Sequence, residues 1–235
     1  MALLTQKQYE DIASNLHFQT KAFINGEFVD SKSGNKFSTV NPANGQHITD
    51  VTACEHEDVD NAVAAARKAF EDGRWSKMAP AERKEILLRF TRLIHENYEE
   101  LAVLETLDSG KPIFDNAQAD VPETADCIAW HAEAIDKLED TITTTDSSTM
   151  GLVVREPIGV VAAILPWNFP LMMSAWKLGP ILASGNSAVV KPAKLTSLSL
   201  LRMVELSIEA GIPPGVLNVL PGSGRSVGET LALHQ

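Results

Sequence analysis

The sequence predicts an α/β fold: a parallel β-sheet with flanking helices, an N-terminal helical segment and a β-arm. Three observations carry this expectation. From residue 158 onward, apolar runs and amphipathic stretches alternate as β-α-β-α-β-α, the order of a parallel sheet with helices on both faces. Between 56 and 138, apolar residues recur at helical spacing. Between 139 and 158, the chain turns β-prone and carries few charges.

The elements follow in order. Residues 21–53 hold short β-like runs, and Asn25-Gly26 between two of them is a hairpin signal. Asn41-Pro42-Ala43-Asn44-Gly45 marks a second turn. Val59, Val63, Ala66 and Phe70 begin the helical region. Pro80 falls where a first helical turn starts, with Glu82 just inside, and Ile86, Phe90, Leu93 and Ile94 form one apolar face. The next helix is expected to stop at Ser109-Gly110-Lys111-Pro112. Pro122-Glu123 opens another, through Ile128 and Ile135. The stretch 139–158 has two readings: an ordinary surface hairpin, or an arm that pairs with another subunit through its exposed strand edge.

Residues 159–165 are continuously apolar, as expected of a strand buried on both faces. A helix through Met172, Trp176 and Leu178 follows, then a strand at 187–190, a helix over 196–210, a strand at 216–220 and a last helix ending near Leu233. A doubly wound dinucleotide domain usually has more than three strands. The sheet is therefore expected to be incomplete at the C-terminus, with an apolar edge at its third strand, and the isolated chain to aggregate or oligomerise.

Composition narrows the function classes. The chain has 235 residues, 44% hydrophobic and 22% charged, as in an ordinary globular protein. Its 20 basic against 31 acidic residues give a net charge of −11, which repels phosphate backbones and argues against nucleic acid as a partner. Two cysteines, Cys54 and Cys127, make no paired framework and fit a reducing compartment. The N-terminus lacks an apolar signal core. The most apolar stretch, 158–173, is interrupted by Pro166, Asn168 and Pro170 and is shorter than the ~20 residues a bilayer needs. A cytoplasmic protein with no membrane contact is expected. The six histidines show no metal-ligand spacing, so no metal is expected.

Two segments bear on chemistry. Pro166-Trp167-Asn168-Phe169-Pro170 lies where the first parallel strand ends, at the sheet edge outside which ligands bind. It reads either as a rigid turn with a capping asparagine or as a site whose Asn168 amide donates to a developing oxyanion. The glycine run 222–228 has one residue more than G-x-G-x-x-G, yet it follows a strand and precedes a helix, the context that fingerprint requires. Met173 and Trp176 read by their spacing as core. Lys177 and Asp108 read as structural. Cys127 reads as a small buried hydrophobe, and Cys54 precedes a helix whose N-terminus can lower a thiol pKa.

Arg155-Glu156-Pro157-Ile158-Gly159-Val160, Ile164 to Leu171 with Pro166-Trp167-Asn168-Phe169-Pro170 at its centre, and Trp176-Lys177-Leu178-Gly179-Pro180 together resemble the aldehyde dehydrogenase superfamily. So do Gly185-Asn186, Lys191-Pro192-Ala193, Glu209-Ala210-Gly211 and Pro214-Gly215-Val216-Leu217-Asn218-Val219. The likeness runs from Phe23-Ile24-Asn25-Gly26-Glu27 onward. It implies a Rossmann-like cofactor-binding domain made of 1–138 and 159–235, truncated, with 139–158 as an oligomerisation β-arm and the catalytic domain absent.

By the same resemblance, Asn168 matches the oxyanion-binding asparagine. Ile164, Leu165, Pro166 and Trp167 match the cofactor-lining strand end, and Lys191 matches the lysine that binds the adenosine ribose. Ala193, Lys194, Gly224 and Gly228 match cofactor-side positions, while Phe169, Met173 and Trp176 match positions near the substrate tunnel. The implied cofactor is NAD or NADP. Lys194 stands where the family most often has a ribose-binding glutamate, and has two readings: a solvated surface lysine, or a partner for the 2′-phosphate of NADP.

The implied activity is NAD(P)-dependent oxidation of an aldehyde to a carboxylic acid by a cysteine thiolate, with a glutamate activating water. The nucleophile and the glutamate are expected beyond Gln235. A small-molecule aldehyde is the implied substrate, and a homodimer or homotetramer the implied assembly of the full-length protein. Glu105 to Pro112, Asp120-Val121-Pro122 and Glu133 to Lys137 look like the γ-glutamyl-γ-aminobutyraldehyde type. The alternative is a catalytically inactive fragment, a partial cofactor-binding or subunit-association module. A third reading, acyl-phosphate reduction, is disfavoured by Pro166-Trp167-Asn168-Phe169-Pro170.

Overall fold

The computed structural model describes residues 3–234. Met1, Ala2 and Gln235, where the sequence reading places the truncation, lie outside the described residues. Thr5 caps α1 (Gln6–Asn15) by accepting from the Gln8 N–H. Strands β1 (Ala22–Ile24) and β2 (Glu27–Val29) form a hairpin through Asn25 and Gly26, both at positive φ (53° and 87°), as its two-residue turn requires. A second hairpin, β3 (Lys36–Val40) with β4 (His47–Thr52), turns at 41–45.

The helical layer then follows: α2 (His56–Glu71), α3 (Pro80–Glu96) and α4 (Tyr98–Ser109), with Gly110 at φ 75° ending α4. The helix expected to open at Pro122 is preceded by helical backbone. A short α5 (Ile113–Asp115) passes through a π-type turn (Asn116–Asp120) into α6 (Val121–Ala134). Pro122 lacks the N–H that would continue the regular ladder, and the chain bulges just before it.

Strands β5 (Thr141–Thr143) and β6 (Gly151–Val153) pair only with each other among the described residues. Ile142, Met150, Leu152 and Val154 are exposed on this hairpin. Beyond it come β7 (Val160–Ile164), α7 (Pro170–Ala183), β8 (Ser187–Lys191), α8 (Leu198–Ala210), β9 (Leu217–Val219), a π-type turn (Gly224–Gly228) and α9 (Glu229–Leu233).

The five-stranded sheet has the order β2-β1-β9-β8-β7, with β7, β8 and β9 parallel. Alternation along the fully buried β8 feeds two cores. Ala188 and Val190 face a large cluster with Phe90, Leu104, Leu178 and Leu201, while Val189 faces a smaller one with Val59, Ala62, Ala66 and Val227. Helices thus cover both faces. No helix among the described residues is long and apolar enough to cross a membrane.

Two expectations need correction. The edge of the third strand is not open: β1 adds to β9 antiparallel, pairing Phe23 with Val219. The open edge of the parallel part is β7, whose only strand neighbour among the described residues is β8, while β2 forms the opposite edge. For the same reason β7 is not buried on both faces. Ala162 and Ile164 are exposed because nothing described covers that end of the strand. In a doubly wound sheet of order 3-2-1-4, the open side of β7 is where a fourth strand stands.

Asn218 locks the hairpin to the sheet. The Asn218 side chain is fully buried: its Oδ1 accepts from the N–H of the exposed Asn25 at 2.9 Å, and its Nδ2 donates to the buried carbonyls of Ala188 (3.2 Å) and Gly215 (2.8 Å). Asn218→Ala strands these buried groups and is expected to lower the unfolding free energy by about 2–3 kcal/mol in denaturant titration. A loss below about 0.5 kcal/mol would mean water replaces the side chain.

Candidate active site

Because β7, β8 and β9 are parallel, their carboxyl ends open onto one rim. Register sets its geometry: Ile164 pairs with Lys191, and the Leu165 N–H donates to the Lys191 carbonyl at 2.9 Å. Ile164, Lys191 and the 222–228 turn therefore converge. A methyl built on Gly228 would lie 3.5 Å from Lys191 Cδ and 3.9 Å from Ile164 Cδ1, while one on Gly224 would meet nothing within 4 Å.

Lys191 is buried, and its ammonium donates only to the carbonyls of Pro192 and Gly222 among the described residues. Burial pulls its pKa below the ordinary lysine value. A partly desolvated cation beside an open, glycine-floored space suits the hydroxyl and phosphate oxygens of a dinucleotide. The glycine that packing demands is a different one. A methyl on Gly222 would sit 2.6 Å from Val227 Cγ2 and 3.0 Å from the Cys54 carbonyl oxygen. The extra residue in the glycine run is absorbed by the π-type turn Gly224–Gly228, started by Ser223, whose Oγ accepts from the Ser226 N–H at 2.9 Å. Ala193 is half-buried and Lys194 exposed, its Nζ 5.2 Å from the centre of the Phe37 ring.

From the end of β7, Leu165 turns inward and is buried, while Pro166, Trp167 and Asn168 are exposed. The loop backbone is tied down on both sides of Asn168. Thr196 Oγ1 donates to the Trp167 carbonyl (3.3 Å), and the Met173 N–H donates to the Phe169 carbonyl (2.9 Å). Asn168 lines a cleft of about 340 Å³ with Ser109, Gly110, Lys111, Trp167 and Phe169. Its amide makes no hydrogen bond within the described residues and is free to donate. On α7, Met173 is half-buried and Trp176 is 52% exposed, so the core reading of their spacing fails for Trp176. Two larger clefts, about 550 Å³ between α2 and α9 and about 430 Å³ beside α6, contain none of the oxyanion, cofactor or substrate residues expected from the sequence.

Comparison with known proteins matches the family described as "Aldehyde dehydrogenase family" over residues 28–235. The chain belongs to the aldehyde dehydrogenase family. An aminoacetaldehyde dehydrogenase of Pseudomonas aeruginosa is 54% identical over 99% of this chain and 47% of its own length. The crystal structure of an indole-3-acetaldehyde dehydrogenase complexed with NAD+ superposes with TM-score 0.97 at 51% identity, covering 99% of this chain and 47% of the other. That of a γ-glutamyl-γ-aminobutyraldehyde dehydrogenase from Burkholderia cenocepacia gives TM-score 0.96 at 48% identity over 98% of this chain and 47% of the other. The chain spans about half the length of the curated relatives it matches.

Burial holds both thiols of this aldehyde dehydrogenase chain away from the thiolate form. Cys54 is fully buried, and burial followed by the nearby Asp58 carboxylate pushes its pKa well up, opposite to the lowering that its place before a helix suggested. Burial also raises the pKa of the half-buried Cys127. Among the described residues no group of three or more His, Cys, Asp or Glu side chains is placed to hold a metal ion.

Two carboxylates below the loop had no site role in the sequence reading. Glu105 is fully buried on α4. Its Oε1 accepts from the Leu171 N–H (2.9 Å) in the first turn of α7 and from Ser199 Oγ (2.8 Å), while Oε2 has no partner. Asp108, one turn on, accepts from the Leu198 N–H (2.9 Å) at the start of α8 and from Thr39 Oγ1 (2.7 Å). Burial raises Glu105 to about 7 and Asp108 to about 6. Both values lie above those of an unfolded chain, so the folded state binds the proton more tightly. The stability this adds is fully present below pH 4 and is lost as pH rises through the folded pKa. Glu105→Gln carries no titrating group. The stability of the parent relative to this variant is therefore expected to fall by on the order of 2 kcal/mol between pH 4 and 8 in urea titrations, and a flat difference would contradict the raised pKa.

Proposed function

We propose that this chain supplies the dinucleotide-binding and oxyanion-binding half of an enzyme that oxidises an aldehyde, of the aminoaldehyde class, to a carboxylic acid with NAD or NADP. The observation that carries the reading is the convergence of a free, exposed Asn168 amide and a buried, carboxylate-free Lys191 on the carboxyl rim of one parallel sheet. Lys191, Gly224, Gly228 and Ile164 would hold the cofactor, with Leu165, Pro166, Trp167, Ala193 and Lys194 around it. When bound, the dinucleotide would supply the hydride acceptor for the oxidation. Asn168 Nδ2 donates to the substrate oxygen as it gains negative charge, and Phe169, Met173 and Trp176 line the aldehyde's path. The aminoaldehyde class is drawn from the relatives, two of which carry such substrates in their names. Lys194, stacked near Phe37 and lacking an acceptor for ribose hydroxyls, supports use of NADP as well as NAD.

Residues 139–158 are proposed as the subunit-pairing arm. The hairpin carries exposed apolar side chains and open edges, the surface that a second strand covers. The shielded state of both cysteines favours a second reading of the chain by itself, as a binding module that does not turn over substrate.

Calorimetric titration of the chain with NAD+ and NADP+ tests the cofactor half. Both are expected to bind, Lys191→Ala to weaken each about tenfold, and Lys194→Glu to shift the preference toward NAD+. No binding of either dinucleotide would end the proposal. In the whole protein, Asn168→Ala is expected to lower kcat by about 10²–10³, and a loss under about threefold would remove Asn168 from oxyanion binding. For the arm, Ile142→Thr with Leu152→Thr is expected to shift sedimentation toward monomer, and an unchanged profile would relocate the contact.

A further inference from the structure

Lys111 is drawn into the protein although a lysine after a helix end normally reaches for water. Its ammonium pairs with the Asp120 carboxylate, whose side chain is 6% exposed, and lies 3.6 Å above the centre of the Phe169 ring. The Lys111 side chain itself is 18% exposed. The ring it covers belongs to the residue after Asn168 and forms one wall of the Asn168 cleft. The other tethers of this loop act on backbone atoms, Trp167 and Phe169 carbonyls, and leave the Phe169 ring free to rotate about its own bonds. Lys111 is the cation that lies over the face of this ring. A cation held by a buried carboxylate cannot swing away to solvent, so its attraction to the aromatic face acts in one direction.

We propose that Lys111 is a positioning residue: clamped by Asp120, it fixes the Phe169 ring and through it the orientation from which Asn168 donates to substrate. The role rests on the reading of Asn168 given above, but the clamp itself can be observed without turnover. The device spans three separate elements. Gly110, at positive φ, turns the chain out of α4 so that Lys111 points back. The π-type turn ends at Asp120, and the loop before α7 carries Phe169.

The test places 4-fluorophenylalanine at position 169 of the chain and records its 19F resonance. Lys111→Gln, which keeps a hydrogen-bonding group for Asp120 but no charge, is expected to move and broaden the signal. Lys111→Arg, still a cation, is expected to return it toward the parent position. A Lys111→Gln signal that superimposes on the parent's, with an unchanged circular-dichroism melt, overturns the proposal. Should Lys111→Gln fail to fold, Lys111→Arg against Lys111→Met supplies the same comparison. In the whole protein, Lys111→Gln is expected to lower kcat/KM for the aldehyde about tenfold while NAD+ affinity stays within about twofold. Phe169→Leu should match it, and the double variant should be no worse than either. Effects that multiply would mean that the two residues act separately. A parent protein that oxidises no aldehyde would sink the functional reading, and the fluorine signal would still decide the clamp.

Discussion

The rim of the sheet is held in place by two buried carboxylates on one turn of α4. Glu105 and Asp108 are three residues apart and so share a helix face, and each satisfies an N–H in the first turn of a sheet-packing helix, α7 and α8 respectively. A negative charge there is favoured by the helix dipole. Yet burial dominates, since Glu105 titrates near neutrality with one oxygen unpartnered. The result is a helix layer fixed to the sheet by polar contacts inside an apolar core, where an unpaired group would be costly. The loop carrying Asn168 begins on β7 and ends on α7, so its geometry inherits that fixation.

Parallel register supplies the second constraint. The pairing of Ile164 with Lys191 means that the residue ending one strand and the cation ending the next emerge side by side. The glycine run then folds over them as a π-type turn. Gly222 packs against Val227 and Cys54, whereas Gly224 faces open space, so only Gly222 is required by the chain's own packing. The freedom at Gly224 has no internal explanation and is consistent with backbone left open to a ligand.

Much of this was legible in the sequence because it is written in local rules. Asn25-Gly26, Pro80 and Gly110 each announce a conformation that few other residues adopt, and each stands where expected. The alternation after 158 likewise gave strands and helices in the right order. What the sequence hid depends on distant pairing. The addition of β1 to β9 rests on a single residue pair and on Asn218, neither of which has a periodic signature. The apolar run of β7 reads as doubly buried, but apolarity cannot say which neighbour covers it. Glu105 sits among buried residues on nearly every side of α4, so amphipathic spacing does not single it out. Lys111 looks like an ordinary polar residue beside a helix-ending glycine until the fold brings Asp120 and Phe169 to it.

The exposure of Asn168 bears on the oxyanion role proposed for it. An amide that donates to an oxyanion is most effective in a water-excluded site, because water competes for the same donor and weakens the field around it. Here the cleft is open, Trp167 beside it is 58% exposed, and Ile164 on the adjoining strand is 48% exposed. The same uncovered apolar surface flanks both the donor and the open edge of β7. Any chain or subunit that buried this surface would therefore act twice: it would cover the apolar side of the β7 edge, and it would dry the cleft that Asn168 lines. Covering the β7 edge and strengthening the oxyanion role proposed for Asn168 would then be one physical event, driven by apolar area rather than by any contact to the amide itself.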